Sequence, residues 1–171
     1  MKNSQKVFIF SVILLFAFTA CKPIPFLDFF NPKNPPFSGE QALNWVYKQN
    51  ELGPRVPETE AHSQLITWAD KKLDEWGWQV IVQSTVWHEM PIQNIIAKRG
   101  KGAPWIILGA HYDSRPVADQ DQDPSKRNLP VPGGNDSASG VAVLLELART
   151  LFTFSQGELW LVLFDAEDSG G

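Results

Sequence analysis

The sequence predicts an α/β fold built on a mainly parallel sheet. Two segments, "PWIILGA" (104–110) and "ELWLVLF" (158–164), are almost wholly apolar and of strand length, the pattern of strands buried on both faces. Between them "SASGVAVLLELARTLF" repeats its apolar residues at helical spacing, so strand, helix and strand make one βαβ unit. With 43% apolar and 20% charged residues in 171 positions, the chain can close one medium-sized core, which argues against disorder.

In chain order, the first element is a leader. "MKNSQK" is cationic and "VFIFSVILLFAFTA" is apolar, which together read as a signal peptide over residues 1–20. The apolar run is short for a bilayer span, which takes about 20 such residues. It ends in "FTAC", which resembles the lipobox of bacterial lipoproteins, with Cys21 as the lipidated residue. A plain secretory signal, or an uncleaved anchor with a cysteine nearby, is the other reading. Either places the body outside the cytoplasm, and the first makes it a membrane-anchored lipoprotein of the cell envelope. Cys21 is the only cysteine, so no internal disulfide is possible. Residues 21–37 hold five prolines and form a stiff tether whose four phenylalanines could dock on the domain.

The domain proper, 38–171, opens with a helix in "SGEQALNWVYKQNELGP". Ser38 and Gln41 have capping-box spacing, Ala42, Leu43, Val46 and Tyr47 share a face, and Gly53-Pro54 ends it. A second helix fits "ETEAHSQLITWADKKLDEWG", with Ala61, Leu65, Ala69, Leu73 and Trp76 as its apolar stripe and Gly77 as its stop. "WQVIVQSTV" alternates as a strand, with Trp78, Val80, Val82 and Val86 on one side, and the short "QNIIAK" could pair with it. After the strand at 104–110 comes a long polar loop, 111–136, either one wall of a substrate entrance or simply a solvated connection.

Ligand sites in parallel sheets form at the carboxyl ends of the strands. Three polar groups reach that rim: His111 and Asp113 in "HYD", Asp136 in "GGNDSASG", and Glu167 and Asp168 in "DAED". Imidazole and carboxylate are the donors of catalytic zinc. Each has a plainer explanation: a hydrogen-bonded histidine at a strand end, an aspartate N-cap, a solvated acidic turn. Their coincidence at one rim favours a site. "DQDQD" fails as a calcium loop, because Pro124 replaces the needed glycine and the twelfth position is Pro130. "GGNDSASG" fits neither a nucleophile elbow nor a phosphate loop. His62 and His88 have no acidic company in a fixed register and are left without a role. Acids outnumber bases 19 to 15 with no basic cluster, which excludes nucleic acid as the expected partner.

"ILGAHYDSRP", "PGGNDSASGVAVLLELAR" and "LVLFDAED" resemble metallopeptidase family 28, which contains di-zinc aminopeptidases and the related glutaminyl cyclases; "LGPRVPETEAHSQLITWADKKLDEWGWQV" resembles the region before those motifs. The likeness covers roughly residues 38–171. It implies a zinc exopeptidase-like sandwich, with a mixed, mainly parallel central sheet flanked by helices and incomplete at the C-terminus. By motif, His111 would bind the first zinc, Asp136 would bridge two, and Asp168, where the family often has glutamate, would bind the second. Glu167 would be the general base, and Asp113 would hold His111 in its ligating tautomer. The peptide bond after the bridging aspartate is cis in many members, which here is Asp136–Ser137.

The resemblance further implies two zinc ions, or one in a cyclase, and a peptide substrate with a free N-terminus. Each zinc would need one more ligand downstream, so the chain is expected to be the first part of a longer enzyme, itself with weak zinc binding and little or no catalysis. The expected reaction is hydrolysis of N-terminal residues, the alternatives being cyclisation of N-terminal glutamine and a non-catalytic binding lipoprotein.

Overall fold

The computed structural model describes residues 35–151 and 157–168. The expected signal peptide at 1–20, lipidation at Cys21, most of the tether and the closing Gly170-Gly171 lie outside the described residues. Among the described residues, no helix is long and apolar enough to cross a membrane.

Helix α1 (Gly39–Leu52) starts where the Ser38 hydroxyl accepts the Gln41 N–H at 3.1 Å. The reciprocal half of a capping box is replaced, because the Ser38 N–H donates instead to Glu146 Oε1 at 2.8 Å. The expected apolar face is also rotated: Leu43 and Tyr47 are exposed, whereas Trp45 turns inward and Gln49 is fully buried. The reason is polar. Gln49 donates from Nε2 to the Ala138 carbonyl at 3.0 Å, so a hydrogen-bonded seam, not a greasy one, meets the neighbouring helix. Helix α2 (Glu60–Glu75) buries Leu65, Ala69 and Leu73 as its period predicts, together with Ile66 and His62. It stops at Gly77 (φ 77°), with Gly77 N–H to Asp74 O at 2.8 Å and Trp78 N–H to Leu73 O at 3.1 Å closing the last turn.

Strands β1 (Gln79–Trp87) and β2 (Met90–Lys101) form an antiparallel hairpin, with β2 extending well past the short strand expected from "QNIIAK". The alternation of β1 holds at Trp78, Val80 and Val82, but Val86 is exposed where the hairpin runs beyond the sheet. Strand β3 (Trp105–His111), helix α3 (Ala138–Thr150) and strand β4 (Gly157–Phe164) make the βαβ unit, β3 and β4 being parallel. The sheet is mixed, in the order β1-β2-β4-β3; among the described strands β1–β2 and β2–β4 are antiparallel and β3–β4 is parallel, so the parallel pairing expected to dominate is confined to the βαβ unit. β4 is central and its Leu159, Leu161 and Leu163 are buried under α3 with Val141, Leu145 and Ala148.

β3 departs from expectation. Predicted to be buried on both faces, it leaves Trp105, Ile106 and Ile107 largely exposed. It lies at the edge of the described sheet, and among the described residues helices cover one face only. Its apolar run reflects composition, which cannot tell a central strand from an edge.

Candidate metal centre

The site is assembled by strand alternation at the ends of β3 and β4. Tyr112 N–H donates to the Phe164 carbonyl at 2.9 Å, extending the parallel ladder one residue beyond β3. His111 and Asp113 therefore face one side and Tyr112 the other. Asp113 is fully buried, and its carboxylate accepts from His111 Nδ1 at 3.2 Å, Glu167 N–H at 3.2 Å and Asp168 N–H at 3.0 Å. Its backbone carbonyl accepts the Ser137 hydroxyl at 2.9 Å. One aspartate thus joins all three motifs, its partners lying 24, 54 and 55 positions away in sequence.

Asp136 precedes α3, with the Asp136–Ser137 peptide bond in the cis form. It is not the N-cap: Ser137 occupies that position, with no side-chain capping bond. Its carboxylate is 72% exposed and places Oδ1 2.7 Å from His111 Nε2. Both ring nitrogens of His111 therefore face carboxylates. Burial works to lower its pKa, but the hydrogen bonds to Asp136 and Asp113 outweigh that and raise it. Glu167, with its side chain 65% exposed, brings Oε2 within 3.9 Å of His111 Nδ1. Asp168 is partly buried; burial first, then the carboxylates of Asp136 and Asp113, raise its pKa. His111, Asp113 and Asp168 offer donor atoms all within 4.8 Å of one another. Asp113 thus stands close enough to join a cation, although its oxygens already serve His111 and two backbone amides.

The structure brings His111, Asp113, Asp136, Glu167 and Asp168 to one rim, as sequence motifs suggested. The loop acids behave otherwise: Asp121 and Asp123 accept from the N–H groups two residues on, and Asp119 pairs with Arg115. Arg115, Asp119, Asp121 and Pro132 line a groove of about 250 Å³. His88 sits in the β1–β2 turn beside Trp87. His62 corrects the expectation that it lacks acidic company, since its Nε2 lies 2.8 Å from Asp165 Oδ1.

Arg55 escaped sequence reasoning altogether. It is fully buried and donates to the carbonyls of Tyr112, Gly53, Pro132 and Gly133, fastening the loop before Asp136 to the strand end at His111. A Cβ at Gly133 (φ 70°) would strike Arg55 and the Ser114 hydroxyl, so glycine is required where the guanidinium passes.

The model of peptidase family M28 matches residues 94–171, the segment that holds every one of these rim residues. Over those residues the chain is similar to that family. Its fold is similar to a glutaminyl cyclase from Tannerella forsythia, at 36% identity and a TM-score of 0.74, covering 78% of this chain and 48% of that one. A Zn-dependent exopeptidase from Parabacteroides distasonis matches at 35% identity and a TM-score of 0.74, with the same coverage of 78% and 48%. A leucine aminopeptidase precursor from Bacteroides thetaiotaomicron matches at 34% and 0.74, covering 80% of this chain and 49% of that one. The chain spans about half the length of these solved structures.

Proposed function

We propose that this M28-like chain carries part of the active site of a zinc-dependent enzyme that acts on the amino-terminal residue of peptides, with hydrolysis as its reaction. Residues 38–171 form the N-terminal part of its catalytic domain. The observation that carries the reading is the meeting of His111, Asp136, Glu167 and Asp168 at the carboxyl ends of a parallel strand pair.

The donors suit zinc: one imidazole and several carboxylates, crowded enough that burial and the neighbouring carboxylates raise the pKa of Asp168. His111, Asp136 and Asp168 would hold the metal, and Asp136 would be the shared ligand if two ions bind. Bound zinc supplies Lewis acidity, polarising a carbonyl and easing deprotonation of water. Asp113 accepts the His111 Nδ1 proton and so reserves Nε2 for the metal. Glu167, solvent-accessible beside His111, takes a proton from the attacking water at Oε2 and passes it to the leaving amine. The "FTAC" motif supports an extracytoplasmic, lipid-anchored setting through Cys21.

Cyclisation is the second reading, favoured by the 36% identity to a structure described as a glutaminyl cyclase. There the substrate's own amine attacks its side-chain amide, Glu167 carries the proton to the departing ammonia, and one zinc suffices. Incubating the zinc-loaded full-length protein with a glutamine-led peptide separates the two. Hydrolysis shortens the peptide, whereas cyclisation releases ammonia at unchanged chain length. A full-length protein that binds no zinc and alters no peptide would instead be a binding lipoprotein, and the enzymatic reading would fall.

A further inference from the structure

A second polar cluster lies behind the candidate metal centre and takes no part in the chemistry above. Tyr112 turns into the core between His111 and Asp113 and is fully buried. Its hydroxyl donates to the Gln93 carbonyl on β2 at 2.9 Å and lies 3.0 Å from His62 Nε2. The same Nε2 is 2.8 Å from Asp165 Oδ1, while the other Asp165 oxygen accepts the Gln93 N–H at 2.8 Å. The His62 side chain is 4% exposed and that of Asp165 0%.

Atom chemistry fixes the direction of these bonds. With its proton committed to Gln93, the Tyr112 oxygen can only accept, and a carboxylate only accepts. The group between them must donate, so one N–H of His62 is shared by Tyr112 and Asp165. Tyr112 is bonded directly to His111 and Asp113. Asp165 leads through Ala166, in a left-handed turn at φ 59°, into Glu167 and Asp168. The ends of β3 and β4 are therefore clasped twice, by Asp113 on the site side and by His62 on the core side.

We propose that His62 is a positioning residue of the candidate metal centre: its Nε2–H clamps Tyr112 to Asp165 and so sets the spacing between His111 and the Glu167–Asp168 pair. A mere space-filler could be any side chain of similar volume. A clamp needs a donor at that reach, which glutamine supplies and leucine does not.

The test uses the full chain, first stripped of metal and followed by amide exchange in NMR, then titrated with zinc alone. The zinc arm rests on the proposed function; the exchange arm does not. His62→Leu is expected to speed exchange of the Glu167 and Asp168 amides by about tenfold or more relative to those of Leu145 and Ala148, and to weaken zinc binding about 10–100-fold. His62→Gln is expected to return both to within about threefold of wild type. The proposal is overturned if the rim amides change no more than those of α3, or if leucine and glutamine behave alike. Should the wild type take up no zinc, the metal reading fails and the exchange comparison still decides the role of His62. Should His62→Leu not fold, Tyr112→Phe removes one acceptor alone, and unchanged rim amides in that variant would equally overturn the clamp.

Discussion

Asp168 occupies a position where burial and the charges of Asp136, Asp113 and Glu167 all oppose its ionisation. Such crowding is costly to the folded chain and useful only to a cation. Asp168→Asn is therefore expected to raise Tm of the metal-free protein at neutral pH while lowering zinc affinity by more than the roughly 10–100-fold typical of residues that merely support ligands. Calorimetry in chelator and a zinc titration check the two halves, and a variant that lost both stability and affinity would contradict the crowding argument. Arg55 is the opposite case, a buried cation held by four carbonyls at 2.6–3.1 Å. A lysine cannot span them, because its three donors radiate from one nitrogen. Arg55→Lys is expected to cost about 2–4 kcal/mol in urea unfolding, with the loop before Asp136 loosening first.

Between elements, the contact between α1 and α3 is held by one buried carboxylate as well as by the Gln49–Ala138 bond. Glu146 is fully buried and accepts from Arg149 at 2.7 and 2.8 Å, from the Ser38 N–H at 2.8 Å and from the Trp45 indole at 3.4 Å. Burial by itself would raise its pKa, but the Arg149 and Ser38 bonds prevail and lower it. A depressed carboxylate adds stability that is present above its unfolded pKa, about 4.3, and is lost as pH falls through the folded value. Glu146→Gln is thus expected to cost about 1.5–3 kcal/mol at pH 7, with the gap to wild type closing in acid. Denaturant curves across pH test this, and a gap that did not vary with pH would refute it. The same element pair shows what sequence can reveal. The Ser38 cap was legible because capping is local, but the turn of α1 toward Gln49 was not, since its partner Ala138 lies 89 residues away. The rim followed from the βαβ rule, which sends strand ends together whatever their separation. Arg55 and His62 stayed hidden because backbone carbonyls leave no mark in a sequence, and Asp165 is 103 positions from His62.

Among the described residues, the sheet has one face covered by helices and one open. Helices α2 and α3 cover the first. On the second, register sets Trp105 beside Glu158, Ile107 beside Trp160 and Gly109 beside Val162. Trp105 is 67% exposed, Ile107 56% and Phe164 44%, while the Phe164 ring lies over Gly109. Trp105 stacks on Trp160, whose other side is roofed by Lys98, 3.7 Å from the ring centre. A contiguous apolar surface of this kind is sticky in water, more so than a smaller exposed pair such as Leu43 and Tyr47 on α1. The chain alone is therefore expected to associate with rising concentration. The double change Trp105→Ser and Ile107→Lys should shift sedimentation toward monomer, whereas Leu43→Ser should not. Because Phe164 is the register partner of His111, association through this face would be felt at the rim. If the double variant and the Leu43 control associate equally, the open face is not what drives self-contact.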